Sequence, residues 1–289
     1  MGPFADRLAE GVDRKRTQIV VGLDPRPELL PLEVRGDVAR FCSGIIDAIA
    51  PHAVAVKPQL AFFEALGVEG IAALEELCAY ARTAGLLVVL DGKRGDIGST
   101  ARAYAAAYLE PRGDGERPLG DALTVNPYLG PDSVEPYLAA CRRHGTGLFC
   151  VVKTSNPGGA EVQDLVLSDG VPVWQHVARL VGEWGADLVG ERGLSSVGAV
   201  IGATHPRAVG EARRLLPQSL LLLPGVGEQG ATPADVARAF TSGPASGLVN
   251  VSRSVLYAYR HAEADADWRA AAGAAAARLK SEVWAASGW

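Results

Sequence analysis

The stretch Val88-Val89-Leu90-Asp91-Gly92-Lys93-Arg94-Gly95-Asp96-Ile97-Gly98-Ser99-Thr100 is an apolar run, too short for a helix of its own, that stops abruptly in charge. Asp91, Lys93 and Asp96 follow one another at spacings of two and three, and the glycines and the Ser99-Thr100 pair beyond them suit a turn into a helix. The reading is a buried strand that delivers Asp-x-Lys-x-x-Asp to its C-terminal edge, with Ser99 or Thr100 capping a helix over 101–109.

The same grammar repeats on both sides. Further strands are expected at 18–23, 53–56, 122–125, 147–152, 197–201, 219–223 and 247–251. Each ends in polar, Gly or Pro punctuation, from Asp24-Pro25 and Lys57-Pro58 to Pro224-Gly225 and Ser252-Arg253. Helical stretches alternate with them at 4–16, 37–50, 68–83, 132–144, 173–186, from 206 and at 233–240. Eight strands that carry their polar residues at the C-terminal end predict an α/β fold of the (β/α)8 TIM-barrel type rather than an open doubly wound sheet. A single domain is expected over 1–289, with a surface insertion at about 158–193 and a C-terminal helix at about 264–286 that carries Trp268 and Trp284.

Composition narrows the partners. A formal charge of −5 argues against a nucleic-acid or membrane surface, since either needs an extended basic face, whereas one anionic small molecule needs only local positive charge. Cys42, Cys78, Cys141 and Cys150 form no C-x-x-C pair and lie in apolar segments, and the five histidines show no H-x-x-x-H spacing. Buried thiols in a reducing cytoplasm are expected, with no metal site. The start lacks a basic-then-apolar leader and no apolar run approaches a membrane span, so a cytoplasmic protein is expected. Only five lysines stand against twenty-three arginines, and three of them, Lys57, Lys93 and Lys153, close apolar runs.

Two groups of residues carry chemistry. After the seventh and eighth strands, Gly225, Gly227 and Gly230 with Arg253 read as a phosphate grip, because a glycine loop lets backbone N–H groups close on an anion where barrels often hold phosphate. At the ends of strands one to three sit Asp24, Lys57, Asp91, Lys93 and Asp96. Such charges serve equally as structural ion pairs at a barrel mouth. Two carboxylates around one amine also favour its charged form, and Lys93 is then the candidate proton donor.

Asp91-Gly92-Lys93-Arg94-Gly95-Asp96-Ile97, the loop Pro224-Gly225-Val226-Gly227-Glu228-Gln229-Gly230 and the closing Ser252-Arg253-Ser254-Val255 together resemble the orotidine 5'-phosphate decarboxylase family. Lys57-Pro58-Gln59 and Lys153-Thr154-Ser155-Asn156-Pro157 resemble its longer bacterial form. The resemblance implies decarboxylation of orotidine 5'-monophosphate to UMP in pyrimidine biosynthesis, with no cofactor and no metal, in a homodimer. It implies Lys93, Asp91, Asp96 and Lys57 as the catalytic set. Asp24 and Lys57 would bind ribose hydroxyls, while Asp91 and Lys93 face the scissile carboxylate. Asp96 and Thr100 would reach into the partner subunit's site. Ile97, Ser155, Gln229, Gly225, Gly227 and Arg253 would contact the nucleotide, Ser155 at the pyrimidine and Arg253 at the phosphate.

Two departures accompany this reading: Ser252 stands where many relatives have glycine, and the 158–193 excursion receives no role. The nearest alternative is a metal-dependent sugar-phosphate enzyme such as a hexulose-phosphate synthase, which places a glutamate metal ligand where this chain has Lys57. A cation there would repel Mg²⁺. A non-catalytic nucleotide-binding barrel would need the phosphate loop but not Lys93 with its acids.

Overall fold

The computed structural model describes residues 2–261 and 267–289. Its eight strands are β1 (Ile19–Leu23), β2 (Ala55–Pro58), β3 (Leu87–Arg94), β4 (Ala122–Val125), β5 (Gly147–Lys153), β6 (Ser195–Ile201), β7 (Ser219–Pro224) and β8 (Gly247–Val251). They pair in parallel and in sequence order, and β8 pairs with β1 to close the barrel. Helix α1 (Phe4–Lys15) precedes β1, and α2 (Val38–Ile49) joins β1 to β2. A short α3 (Leu60–Glu64) and then α4 (Gly67–Thr83) lead to β3. Next come α5 (Gly98–Leu109) and α6 (Pro131–His144), followed after β5 by α7 (Ala160–Gln163) and α8 (Val173–Trp184). Helix α9 (Pro206–Leu215) leads to β7, a 3-10 helix (Pro233–Phe240) leads to β8, and α10 (Arg253–Leu256) and α11 (Trp268–Ser287) close the chain.

The strands are buried on both faces, and their period of two divides two cores. Ile19, Val21, Val56, Val88, Leu90, Leu123 and Leu148 point outward to the helices, joined by Phe41, Ile45, Leu77 and Val209. Val20, Ala55, Val89, Ala122, Phe149, Val200, Leu222 and Leu248 form an inner core. Helix α1 completes that inner core with Phe4, Leu8 and Val12, and the Phe4 ring meets Phe149 edge-on at 6.0 Å. At the same N-terminal end Asp121 is held by Arg7 at 2.6 Å, by Arg82 at 3.3 Å and by the Val88 N–H at 2.9 Å. The opposite end is thus left for the chemistry.

The barrel agrees with the sequence reading, with several local differences. β3 runs on to Arg94, so Asp91 and Lys93 lie within the strand rather than beyond it. Helix α5 starts at Gly98 after Ile97, and neither Ser99 nor Thr100 caps it. Helix α3 leaves no mark in the sequence pattern, because its five residues are too few to show a helical period. The helix expected at 233–240 is present with those bounds and is of the 3-10 type, with a Thr232–Asp235 capping box.

The expected insertion at 158–193 divides in two. Helix α8 buries Trp174, Ala178 and Val181 in the outer core and is the regular crossover from β5 to β6. Only the part around α7 and the Val166–Pro172 bridge lies over the surface, with Val162, Leu165 and Val166 exposed. The first residues of the expected C-terminal helix, 264–266, lie outside the described residues. The described helix starts at Trp268, capped by Asp267. Among the described residues no helix is long and apolar enough to cross a membrane.

Candidate active site

The inward-facing alternation that builds the inner core continues to the C-terminal ends of the strands and there changes from apolar to polar. Val20 is followed on the same face by Gly22 and Asp24, Ala55 by Lys57 and Gln59, Val89 by Asp91, Ala122 by Thr124, and Leu248 by Asn250 and Ser252, while Lys93 reaches the same cavity from an irregularity in β3. These ends surround a cavity of about 310 Å³ lined by Asp24, Lys57, Asp91, Lys93, Ser155, Gly225, Gln229 and Arg253 among others.

Asp91 is the hub. One carboxylate oxygen, Oδ2, accepts from Lys57 Nζ at 2.6 Å and from Gln59 Nε2 at 3.1 Å. The other, Oδ1, accepts from Lys93 Nζ at 2.6 Å and from Thr124 Oγ1 at 2.8 Å. Four donors on one carboxylate fix its plane and leave it nothing to gain from a proton. Burial pushes the Asp91 carboxyl up, but the charges of Lys57 and Lys93 and their hydrogen bonds more than reverse this and hold it well below the usual carboxylate range. Burial likewise pushes Lys57 down, and Asp91 and Asp24 outweigh it, so its pKa stands above the ordinary lysine value. The two ammonium groups differ in access. The Lys57 side chain is 6% exposed and that of Lys93 is 46% exposed, so both line the cavity and Lys93 is the more open of the two.

Asp24 is presented by a strut between the first and last βα loops. The Tyr257 hydroxyl donates to the Asp24 carbonyl at 3.0 Å and accepts from the Arg26 N–H at 2.9 Å. Asp24 Oδ1 and Asn250 Oδ1 are buried without a hydrogen-bond partner among the described residues, which is costly unless another group completes them.

The glycine loop after β7 has its own internal bonding. Gly225 and Gly227 have φ of 115° and 90°, which a side chain would strain. Gly225 lines the cavity with Gln229, whose Oε1 would lie 3.2 Å from any β-carbon placed at Gly225. Gly227 does not line it. Its N–H donates to the Ala231 carbonyl at 2.9 Å, and the Gly230 N–H donates back to Gly227 at 2.8 Å, so these two glycines shape the turn rather than offer their N–H groups to an anion. Arg253 lies across the mouth, its Nε 2.8 Å from Glu228 Oε2.

Asp96, Ile97 and Thr100 are not brought into this cavity. Asp96 Oδ1 accepts from the Ile97 N–H at 2.8 Å rather than from Lys93, and Ile97 and Thr100 are exposed on the rim. The expected sandwich of Lys93 between two acids therefore holds within one chain only for Asp91. Lys153 is turned outside the cavity and pairs with Asp164 at 2.6 Å.

Among the cavity residues to which the sequence assigns no role are Thr124, Asn250 and Glu228. Thr124 was legible only as a lone hydroxyl in an apolar strand, Asn250 as a lone amide in another, and Glu228 as one acid in a glycine loop. The 158–193 excursion also contributes: Gln163 accepts from the Thr154 N–H at 3.0 Å and donates to Thr154 Oγ1 at 2.8 Å, bracing the loop that carries Ser155.

Residues 17–267 match the model of the Orotidine 5'-phosphate decarboxylase / HUMPS family. An orotidine 5'-phosphate decarboxylase of Deinococcus radiodurans is 48% identical over 88% of this chain and 89% of its own. One of Rhodopirellula baltica is 43% identical over 98% and 99%. The structure of Leishmania donovani OMP decarboxylase superposes with a TM-score of 0.78 at 33% identity, covering 99% of this chain and all (100%) of that one. A closed barrel whose mouth joins a Lys-Asp-Lys array to an arginine and a glycine loop, in a chain this close to those relatives, belongs to the orotidine 5'-phosphate decarboxylase family of carboxy-lyases.

Proposed function

We propose that this protein decarboxylates orotidine 5'-monophosphate to UMP in pyrimidine biosynthesis, in the cytoplasm and without a cofactor or metal, with Lys93 as the proton donor to C6. The observation that carries the reading is the Lys57-Asp91-Lys93 array, in which only the Lys93 side chain is substantially exposed. The family's metal-dependent alternative fits poorly here, since both oxygens of Asp91 are already engaged by ammonium groups and a divalent cation beside them would be repelled.

The chemistry follows from charge. The C6–carboxylate bond breaks, CO2 leaves, and the electron pair stays on C6 in the ring plane, where no neighbouring π system accepts it. The positive end of Lys93 stabilises that pair, then gives its proton to C6 and is reprotonated from solvent. Asp91, ionised throughout, fixes the ammonium and would repel the substrate carboxylate. Asp24 and Lys57 take the ribose hydroxyls, Ser155 the pyrimidine, Gln229 both base and phosphate, and Arg253 with Gly225 the phosphate. Gly227 supports that loop.

Asp96, Ile97 and Thr100 act in the neighbouring site of a homodimer. Their position outside their own cavity supports this, as does the apolar rim formed by Ile97, Tyr128 and Leu129, which are 55%, 81% and 51% exposed. The loops that carry them abut where Gly95 meets Asn126.

The test is the ultraviolet absorbance of orotidine 5'-monophosphate incubated with enzyme and EDTA. Decay at the rate seen without EDTA, abolished in Lys93→Ala while that variant still binds UMP, is expected. Appreciable turnover by Lys93→Ala would remove Lys93 as the donor, and dependence on added metal would favour the other branch of the family.

A further inference from the structure

Lys93 has φ of 44°, in the left-handed region that a residue with a side chain adopts only when its surroundings hold it there. The cause lies in the β3–β4 ladder. Leu90 pairs with Leu123 and the next pair is Arg94 with Val125, so Asp91, Gly92 and Lys93 on β3 oppose Thr124 alone on β4. A bulge of this kind re-aims side chains and leaves backbone groups without their ladder partners. The Lys93 N–H is one such group, and it donates instead to Thr124 Oγ1 at 2.9 Å.

The same oxygen donates its proton to Asp91 Oδ1 at 2.8 Å, the atom that also accepts from Lys93 Nζ at 2.6 Å. The direction of each bond is forced. A backbone N–H only donates and an ionised carboxylate only accepts, so the single hydroxyl proton must point at Asp91. Thr124 is 1% exposed, and with both partners engaged its hydroxyl has one orientation.

We propose that Thr124 is a positioning residue for proton delivery: its hydroxyl clips the backbone of Lys93 to the carboxylate that holds the same residue's ammonium. The left-handed backbone, the bulge and the aim of the amine are thereby set by one side chain on the neighbouring strand. Neither a methyl nor a hydrogen at that position could do this, since the role requires an atom that accepts and donates at once. The inference rests on the reading of Lys93 as proton donor.

The experiment compares Thr124→Val, which keeps the volume and loses the hydroxyl, with Thr124→Ser, which keeps the hydroxyl and loses the methyl. Single-turnover decarboxylation of orotidine 5'-monophosphate is measured beside KM, UMP affinity and melting temperature. Thr124→Val is expected to slow the chemical step by about 10- to 100-fold with KM within about threefold of wild type, the scale set by a small misplacement of a reacting group. Thr124→Ser is expected to stay within about threefold of wild type. If Thr124→Val folds poorly, Thr124→Ala against Thr124→Ser makes the same comparison at smaller volume. An unchanged chemical step in the variant without the hydroxyl, or an equal loss in Thr124→Ser, would overturn the proposal. With Lys93→Ala inactive, either result would leave the proton-donor reading intact. A Lys93→Ala enzyme that still turns over would overturn both.

Discussion

At the scale of single residues, Asp91 bears on stability as well as on the proposed chemistry. Its carboxyl is held below the usual range, so it contributes stability that is complete above its ordinary value of 3.8 and is lost as pH falls below it. Lys57, held above its ordinary 10.5, contributes stability present below that value and lost as pH rises past it. The urea midpoint of the wild type should therefore be flat near neutrality, fall below about pH 4 and fall again at the alkaline end. Asp91→Ala should cost about 3–5 kcal/mol at pH 7, because it leaves the buried Lys57 ammonium without its main partner, and should blunt the acid limb. Equal acid sensitivity in the variant would show that other carboxylates govern it.

Glu228 poses a different question at the same scale. It pairs with Arg253, the residue assigned to phosphate, and both side chains are 40% exposed or more. On that assignment, substrate phosphate competes with the Glu228 carboxylate. Glu228→Gln should therefore lower KM by about two- to fivefold with kcat unchanged, the range of an exposed ion pair, and the difference should shrink at high salt. An unchanged KM at low salt would mean that the pair does not oppose binding.

At the scale of elements, the inner face of the barrel explains why so few residues serve so many purposes. The alternation that packs Ala55 and Val89 inside brings Lys57 and Asp91 inside two residues later, so folding and site assembly are one event. The segment after β5 adds a brace, with Gln163 bonded twice to Thr154 and Asp164 bonded to Lys153. Gln163→Ala should loosen the Ser155 loop, raising KM about fivefold at a stability cost of about 1 kcal/mol. Titration with UMP and a thermal melt check both numbers, and unaltered nucleotide affinity would make the excursion structural only.

At the scale of the whole molecule, one chain does not complete the site that the family reading requires, because Asp96 and Thr100 lie outside its cavity. Sedimentation should find a dimer. Mixing inactive Lys93→Ala and Asp96→Ala proteins should restore about a quarter of wild-type activity, since random re-pairing makes half the dimers mixed and each of those has one intact site. No recovery after demonstrated subunit exchange would place Asp96 in its own chain's chemistry or outside the chemistry altogether.

The sequence by itself determined the barrel, because hydrophobic periodicity and strand-end punctuation are local and survive in one dimension. It also determined which strand ends carry charge, and so that Asp24, Lys57, Asp91, Lys93 and Arg253 gather at one end of the barrel, where they line one cavity. Only the tertiary structure decided what those residues do to one another. That four donors converge on Asp91, that Glu228 closes on Arg253 and that most of the 158–193 excursion is ordinary barrel all depend on contacts between segments far apart in the chain. The β3–β4 bulge belongs to the same class: a register shift is a property of two strands together, and no single-strand pattern records which hydroxyl will meet the displaced N–H.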